Sequence, residues 1–113
     1  MRLTKSEIEI FIKTIEPFLN KNKAELRLYG SRVNDALKGG DIDLLLIVEQ
    51  EHLAYEIKLQ KHMILSKIKK QLGDRKIDIL VASRDTMDTN IFFAMVFPES
   101  IVLHVFKSAV PPG

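Results

Sequence analysis

From Leu44 to Val48 the chain reads Leu-Leu-Leu-Ile-Val, apolar at every position. A strand with one wet face alternates polar and apolar side chains, so Asp41–Val48 is too continuously apolar at its end to be half-exposed. It requires a sheet with other elements packed against it. Two further segments read as strands beside it. In Glu25–Tyr29, Leu26 and Leu28 take one face and Arg27 and Tyr29 the other, and Lys76–Ala82 is the short apolar run Lys-Ile-Asp-Ile-Leu-Val-Ala. Ile101–Phe106 is a fourth candidate, expected at an edge.

Helical patterns separate these runs. Ile8, Phe11, Ile12 and Ile15 fall on one stripe, with capping boxes available at Thr4–Glu7 and Ser6–Glu9 and a stop or kink at Pro17. One or two turns are expected over 32–37, before Gly39-Gly40. A long helix is expected from Glu51 to Leu72, with Leu53, Ile57, Ile64, Leu65, Ile68 and Leu72 facing a core and Gly73 ending it. Ser83 caps another, expected to run to Phe97 before Pro98. The order α-β-α-β-α-β-α-β with short connections gives an α/β (α+β) chain, a small sheet of about four strands flanked by helices. Periodicity leaves strand order and direction open.

Composition narrows the class. The 113 residues are 46% hydrophobic and 28% charged, which excludes disordered, collagen-like and coiled-coil chains. They make one domain, expected over 1–108 with a tail at 109–113. No cysteine is present, so disulfides and thiolate metal sites are out. A net charge of +2 is too mild to name a nucleic-acid partner, and direct nucleic-acid binding is not expected. Charged residues stand where the apolar core of a secretory signal would lie. The longest apolar run, Ile91–Phe97, is far short of a membrane span. The expectation is a soluble, cytoplasmic protein.

Two features do not suit a purely structural sheet. Asp41 and Asp43 stand at positions i and i+2 of a strand, so both carboxylates point to one face. Burying such a pair costs several kcal/mol unless a cation neutralises it, and magnesium commonly takes one or two carboxylates together with substrate phosphates. Asp78 is a second anomaly, a carboxylate inside an apolar strand. If the two strands are neighbours, three carboxylates converge, enough to hold two metals about 3.5–4 Å apart. The alternatives are a solvated pair at a strand mouth for Asp41 and Asp43, and a salt bridge to a nearby Lys or Arg for Asp78. A third element is Leu28-Tyr-Gly-Ser-Arg32. Gly30 permits close backbone approach, the amides after it with the Ser31 hydroxyl suit a phosphate, and Arg32 is either a phosphate contact or a surface charge. His52, His62 and His104 lack metal-ligand spacing and read as surface or core residues.

Gly30-Ser31, a gap of nine residues, Gly40-Asp41-Ile42-Asp43-Leu44 and then Asp78 together resemble the signature of the DNA polymerase beta-like nucleotidyltransferase superfamily. The length is similar to that of its smallest members, the minimal nucleotidyltransferases, and the resemblance covers nearly the whole chain. It implies a mixed sheet of that family's fold. It implies a Gly-Ser loop, here Gly30 and Ser31, that holds the triphosphate of ATP. Asp41 and Asp43 would bind two Mg2+ ions, and Asp78 would bind the catalytic one and help deprotonate the acceptor hydroxyl. The gap length and the Gly-Asp pair are like those of the polymerase members, and Asn34 stands near where minimal members carry a glycine.

Larger relatives add a second domain, for which this chain has no room, so half of the cleft is expected to be open. Minimal members commonly work beside a HEPN-domain partner. The resemblance therefore implies an antitoxin that transfers AMP from ATP to a tyrosine of a HEPN-type toxin. Two alternatives stand beside it: a binding module that neutralises its partner by occlusion, and a self-associating nucleotidyltransferase acting on a small molecule. The segment Asn90–Phe97 is apolar all round, which suits either a contact surface or complete burial.

Overall fold

Thr4 opens the first helix, α1 (Lys5–Ile15), and selects one of the two available capping boxes. The Glu7 N–H donates to Thr4 Oγ1 at 3.1 Å, and the Thr4 N–H donates to Glu7 Oε1 at 2.9 Å. Phe11 and Ile15 are fully buried, and Pro17 converts the end of the helix into a 3-10 turn over Glu16–Leu19. Asn20 and Lys21 then take left-handed backbone angles, turning the chain toward the sheet. The computed structural model describes residues 3–30, 42–73 and 76–108. Ser31, Arg32 and Asp41, the helical turns expected over 32–37 and the tail at 109–113 lie outside the described residues.

The four strands are β1 (Ala24–Tyr29), β2 (Ile42–Val48), β3 (Ile77–Ser83) and β4 (Ile101–Phe106), in the order β3-β2-β1-β4. β1 runs antiparallel to both β2 and β4, and β2 runs parallel to β3, so the sheet is mixed. β4 lies at an edge, as expected. The central position of β2 accounts for its unbroken apolar run. Ile42, Leu44, Leu46 and Val48 enter a large core with Phe11, Ile57, Ile64 and Ile68, while Leu45 and Ile47 meet Ala82 and Phe93 on the other face.

Two expected helices are each divided. The segment read as one helix over 51–72 is α2 (Glu51–Leu59) and α3 (Lys61–Leu72), broken at Gln60. A helix of twenty-two residues would extend about 33 Å. The seven-residue strands it covers are only about 23 Å long. The break lets α2 lie along the sheet while α3 packs against α1. The segment after Ser83 is likewise α4 (Arg84–Thr89) and α5 (Ile91–Val96). Asn90 interrupts it by leaving helical geometry and accepting hydrogen bonds from the N–H groups of Phe92, at 2.8 Å, and Phe93, at 3.4 Å. A short polar side chain that can cap a new helix competes with continuing the old one. Among the described residues no helix is long and apolar enough to cross a membrane.

Candidate functional site: a carboxylate row at the open end of the sheet

α1, α2 and α3 supply the core on one face of the sheet, and α4 and α5 pack on the other around Leu45, Ile47 and Ala82. Strand alternation sends Glu25, Arg27 and Tyr29 of β1, Asp43, Leu45 and Ile47 of β2, and Asp78, Leu80 and Ala82 of β3 to that second face. The register aligns them in rows. Tyr29 pairs with Asp43 and Asp43 with Asp78, so phenol, carboxylate and carboxylate stand side by side on three adjacent strands. The next row, Arg27, Leu45 and Leu80, already meets the apolar cluster beneath α5. The acidic row therefore lies at the end of the sheet where β2 and β3 begin. Asp43, Lys76, Ile77 and Asp78 line an open cavity there of about 340 Å3.

Gly30 closes the row against Asp43. It has φ +80°, and a Cβ built on it would stand 2.5 Å from Asp43 Oδ2. The glycine thus makes room for the protein's own carboxylate, in addition to the ligand approach that the sequence suggests. Asp78 is more exposed, and Lys61 Nζ lies 2.8 Å from its Oδ1. The salt bridge that the sequence offered as one account of Asp78 is therefore present. It does not explain why a second carboxylate, Asp43, stands directly beside it in register.

The electrostatics of the row show in Tyr29. Burial, followed by the negative charges of Asp43 and Asp78, pushes its phenol up from 10.0 to about 12. Tyr29 is therefore a neutral hydroxyl beside two acids at any physiological pH. Among the described residues no three His, Asp or Glu side chains gather at one point, and Asp41 lies outside them. The pair that is described suits a hard divalent cation, since it offers only carboxylate oxygens at a solvent-open position.

Of the residues singled out from the sequence, the structure brings together Gly30, Asp43 and Asp78. His52 and His62 are exposed on α2 and α3, and half-buried His104 stacks edge-on with Phe106 at 4.7 Å between ring centres. Tyr29, Lys61 and Lys76 were not anticipated at this place. Alternation in β1 pointed Tyr29 away from Leu28, but no sequence signal announced either lysine. The segment Asn90–Phe97 is not completely buried. Phe93 enters the core, while Ile91, Phe92 and Met95 are 77%, 51% and 71% exposed. α5 thus carries apolar surface on the same face of the sheet as the acidic row.

A family model described as nucleotidyltransferase domain matches residues 8–102. The spectinomycin adenyltransferase from Enterococcus faecialis, solved with ATP and spectinomycin, is similar in fold, with a TM-score of 0.55 and 23% identity over 75% of this chain. This chain spans 36% of that protein's length. A Sulfolobus solfataricus protein assigned as a nucleotidyltransferase aligns over 90% of this chain and 89% of its own, with 20% identity and a TM-score of 0.45. No curated protein sequence matches this chain significantly. The family match spans most of the leading helix, all three strands that bear Tyr29, Asp43 and Asp78, and the start of β4, and on that ground the chain belongs to the nucleotidyltransferase domain family.

Proposed function

We propose that this chain transfers AMP from ATP to a hydroxyl group of a protein partner, in a Mg2+-dependent reaction. The observation that carries the reading is the in-register pairing of Asp43 with Asp78 at the open end of the sheet, with Gly30 fitted against Asp43. Asp41, Asp43 and Asp78 are the proposed magnesium ligands, and Gly30, Ser31 and Arg32 the proposed contacts to the triphosphate. Bound magnesium would supply the positive charge that steadies the phosphates. Asp78 accepts the proton of the acceptor hydroxyl as its oxygen attacks the α-phosphorus. The bond from that phosphorus to the pyrophosphate oxygen breaks in line, and pyrophosphate leaves.

The acceptor is proposed to be a tyrosine of a HEPN-domain toxin, which makes this chain the antitoxin. Two observations support a large acceptor: the cavity beside Asp43 and Asp78 is open, and α5 exposes Ile91, Phe92 and Met95 on the same face. The likeness to a spectinomycin adenyltransferase favours a second reading, in which a small molecule is the acceptor and a second copy completes the cleft. Mass spectrometry of the partner after incubation with ATP and magnesium separates these. Added AMP on a tyrosine supports the first reading. Neutralisation of the partner by a variant with Asp41, Asp43 and Asp78 all changed to Asn, with no added mass, replaces the enzyme with an occluding binding module.

A further inference from the structure

Lys61 is the first residue of α3, a position that helix energetics do not favour for a cation. The amide dipoles of a helix make its N-terminus positive, so a lysine in the first turn is electrostatically disfavoured there. No acidic residue stands in that first turn, and no side chain caps it. What the position does offer is Asp78, 2.8 Å away. The break at Gln60 turns the chain beside the start of β3, and the first side chain after the break meets the carboxylate that faces Asp43. A local cost to a helix is thus accepted in order to place one positive charge on the acidic row.

We propose that Lys61 is a placeholder for the divalent cation: its ammonium holds Asp78 while the site is without metal, yields Asp78 to the metal, and then binds a phosphate of the nucleotide. The inference rests on the metal reading given above. The row needs positive charge in either state, because two carboxylates stand side by side on neighbouring strands. A lysine suits a temporary role, as a compact charge on a flexible four-carbon stem. Its pair with Asp78 is loosely held, since Lys61 and Asp78 keep 31% and 52% of their side chains exposed. Lys76 lines the same cavity and adds a second positive charge to its rim.

The test measures binding alone, by calorimetry on the full chain, with Mn2+ as the metal probe and ATP as the nucleotide. Lys61→Met removes the competing charge, so Mn2+ without nucleotide should bind about fivefold to tenfold more tightly. In the same variant ATP with saturating Mn2+ should bind about tenfold more weakly, from the loss of one charge-assisted hydrogen bond. Lys61→Gln should show the same two signs and guards against a fold defect in the first variant. Lys58→Met, which removes a lysine from the preceding helix, should change neither constant. Unchanged or weaker Mn2+ binding in both Lys61 variants overturns the placeholder role, and tighter binding of both Mn2+ and ATP overturns the hand-over to phosphate. Neither measurement requires turnover. Opposite shifts in a protein that never transfers AMP would retain this inference and reject the transferase. An unmodified chain that binds Mn2+ only together with ATP rejects the inference alone, and one that binds no Mn2+ in either condition rejects the metal reading with it.

Discussion

A Cβ on Gly30 would stand 2.5 Å from Asp43 Oδ2, so the strand end and the carboxylate beside it occupy their places only because residue 30 has no side chain. The backbone there has φ +80°, where an L-residue pays about 1–2 kcal/mol. Gly30→Ala should lose at least that much stability in urea denaturation and should also displace Asp43. Adding Asp43→Ala to it should recover the steric part but not the backbone part. A non-additive double-mutant cycle is the expected result, and strict additivity would show that the two residues do not press on one another.

Asp43→Asn removes one of two adjacent negative charges. Its melting temperature should be equal to or above that of the unmodified chain, while affinity for magnesium and ATP falls. A large loss of thermal stability would identify Asp43 as half of a structural pair. Asp78→Asn should lower the rate of AMP transfer more than it lowers nucleotide binding, because Asp78 is the proposed proton acceptor. The exposed pair with Lys61 limits its stability cost to about 1 kcal/mol or less.

Tyr29 gives the acidic row a spectroscopic reporter. The folded phenol, at about 12, holds its proton more tightly than the ordinary value of 10.0. This contribution to stability is whole below pH 10 and is lost as the pH rises through about 12. The chain has two tyrosines, so the difference between its alkaline absorbance titration and that of Tyr29→Phe isolates the transition. Asp43→Asn and Asp78→Asn should each move it down. A transition that ignores both substitutions would leave burial as its only cause.

Ser83 joins β3 to α4 and is buried. Its hydroxyl accepts from the Thr86 N–H at 3.2 Å and donates to Glu51, to which the Thr86 hydroxyl also donates at 2.8 Å. Ser83→Ala should cost about 1–2 kcal/mol, as for other lost N-caps. The hydroxyls of Ser83 and then Thr86 hold the Glu51 carboxyl below its ordinary 4.5. The stability linked to Glu51 is therefore present above pH 4.5 and is lost as the pH falls through the lower folded value. An NMR titration of Glu51 should move up toward 4.5 in Ser83→Ala, and an unchanged midpoint would assign the shift to Thr86 alone.

Much of the architecture was legible along the chain because the signals behind it are local. The apolar run Leu44–Val48 marks a strand buried on both faces, and the two clusters on either side of β2 bear this out. The Thr4–Glu7 box, the stop at Gly73 and the alternation that sets Tyr29 and Asp43 on opposite faces from Leu28 and Leu44 all depend on neighbours a few residues apart. Gly30, Asp43 and Asp78 stood out by residue type, as carboxylates and a glycine where a plain sheet has no use for them. The break at Gln60 carried no Gly or Pro to announce it. It arises because a straight helix would overrun the strands beneath it, a length that only the packed sheet defines. Asn90 fits a helix interior or a cap, and the packing of Phe93 beneath α5 accompanies the second choice. The row from Tyr29 through Asp43 to Asp78 depends on the register of three strands, and the Lys61–Asp78 pair on where a broken helix delivers its first side chain. Register and delivery are settled by contacts between residues far apart in the chain. Covalent alternation can say which face a carboxylate takes, but only tertiary packing decides what stands beside it.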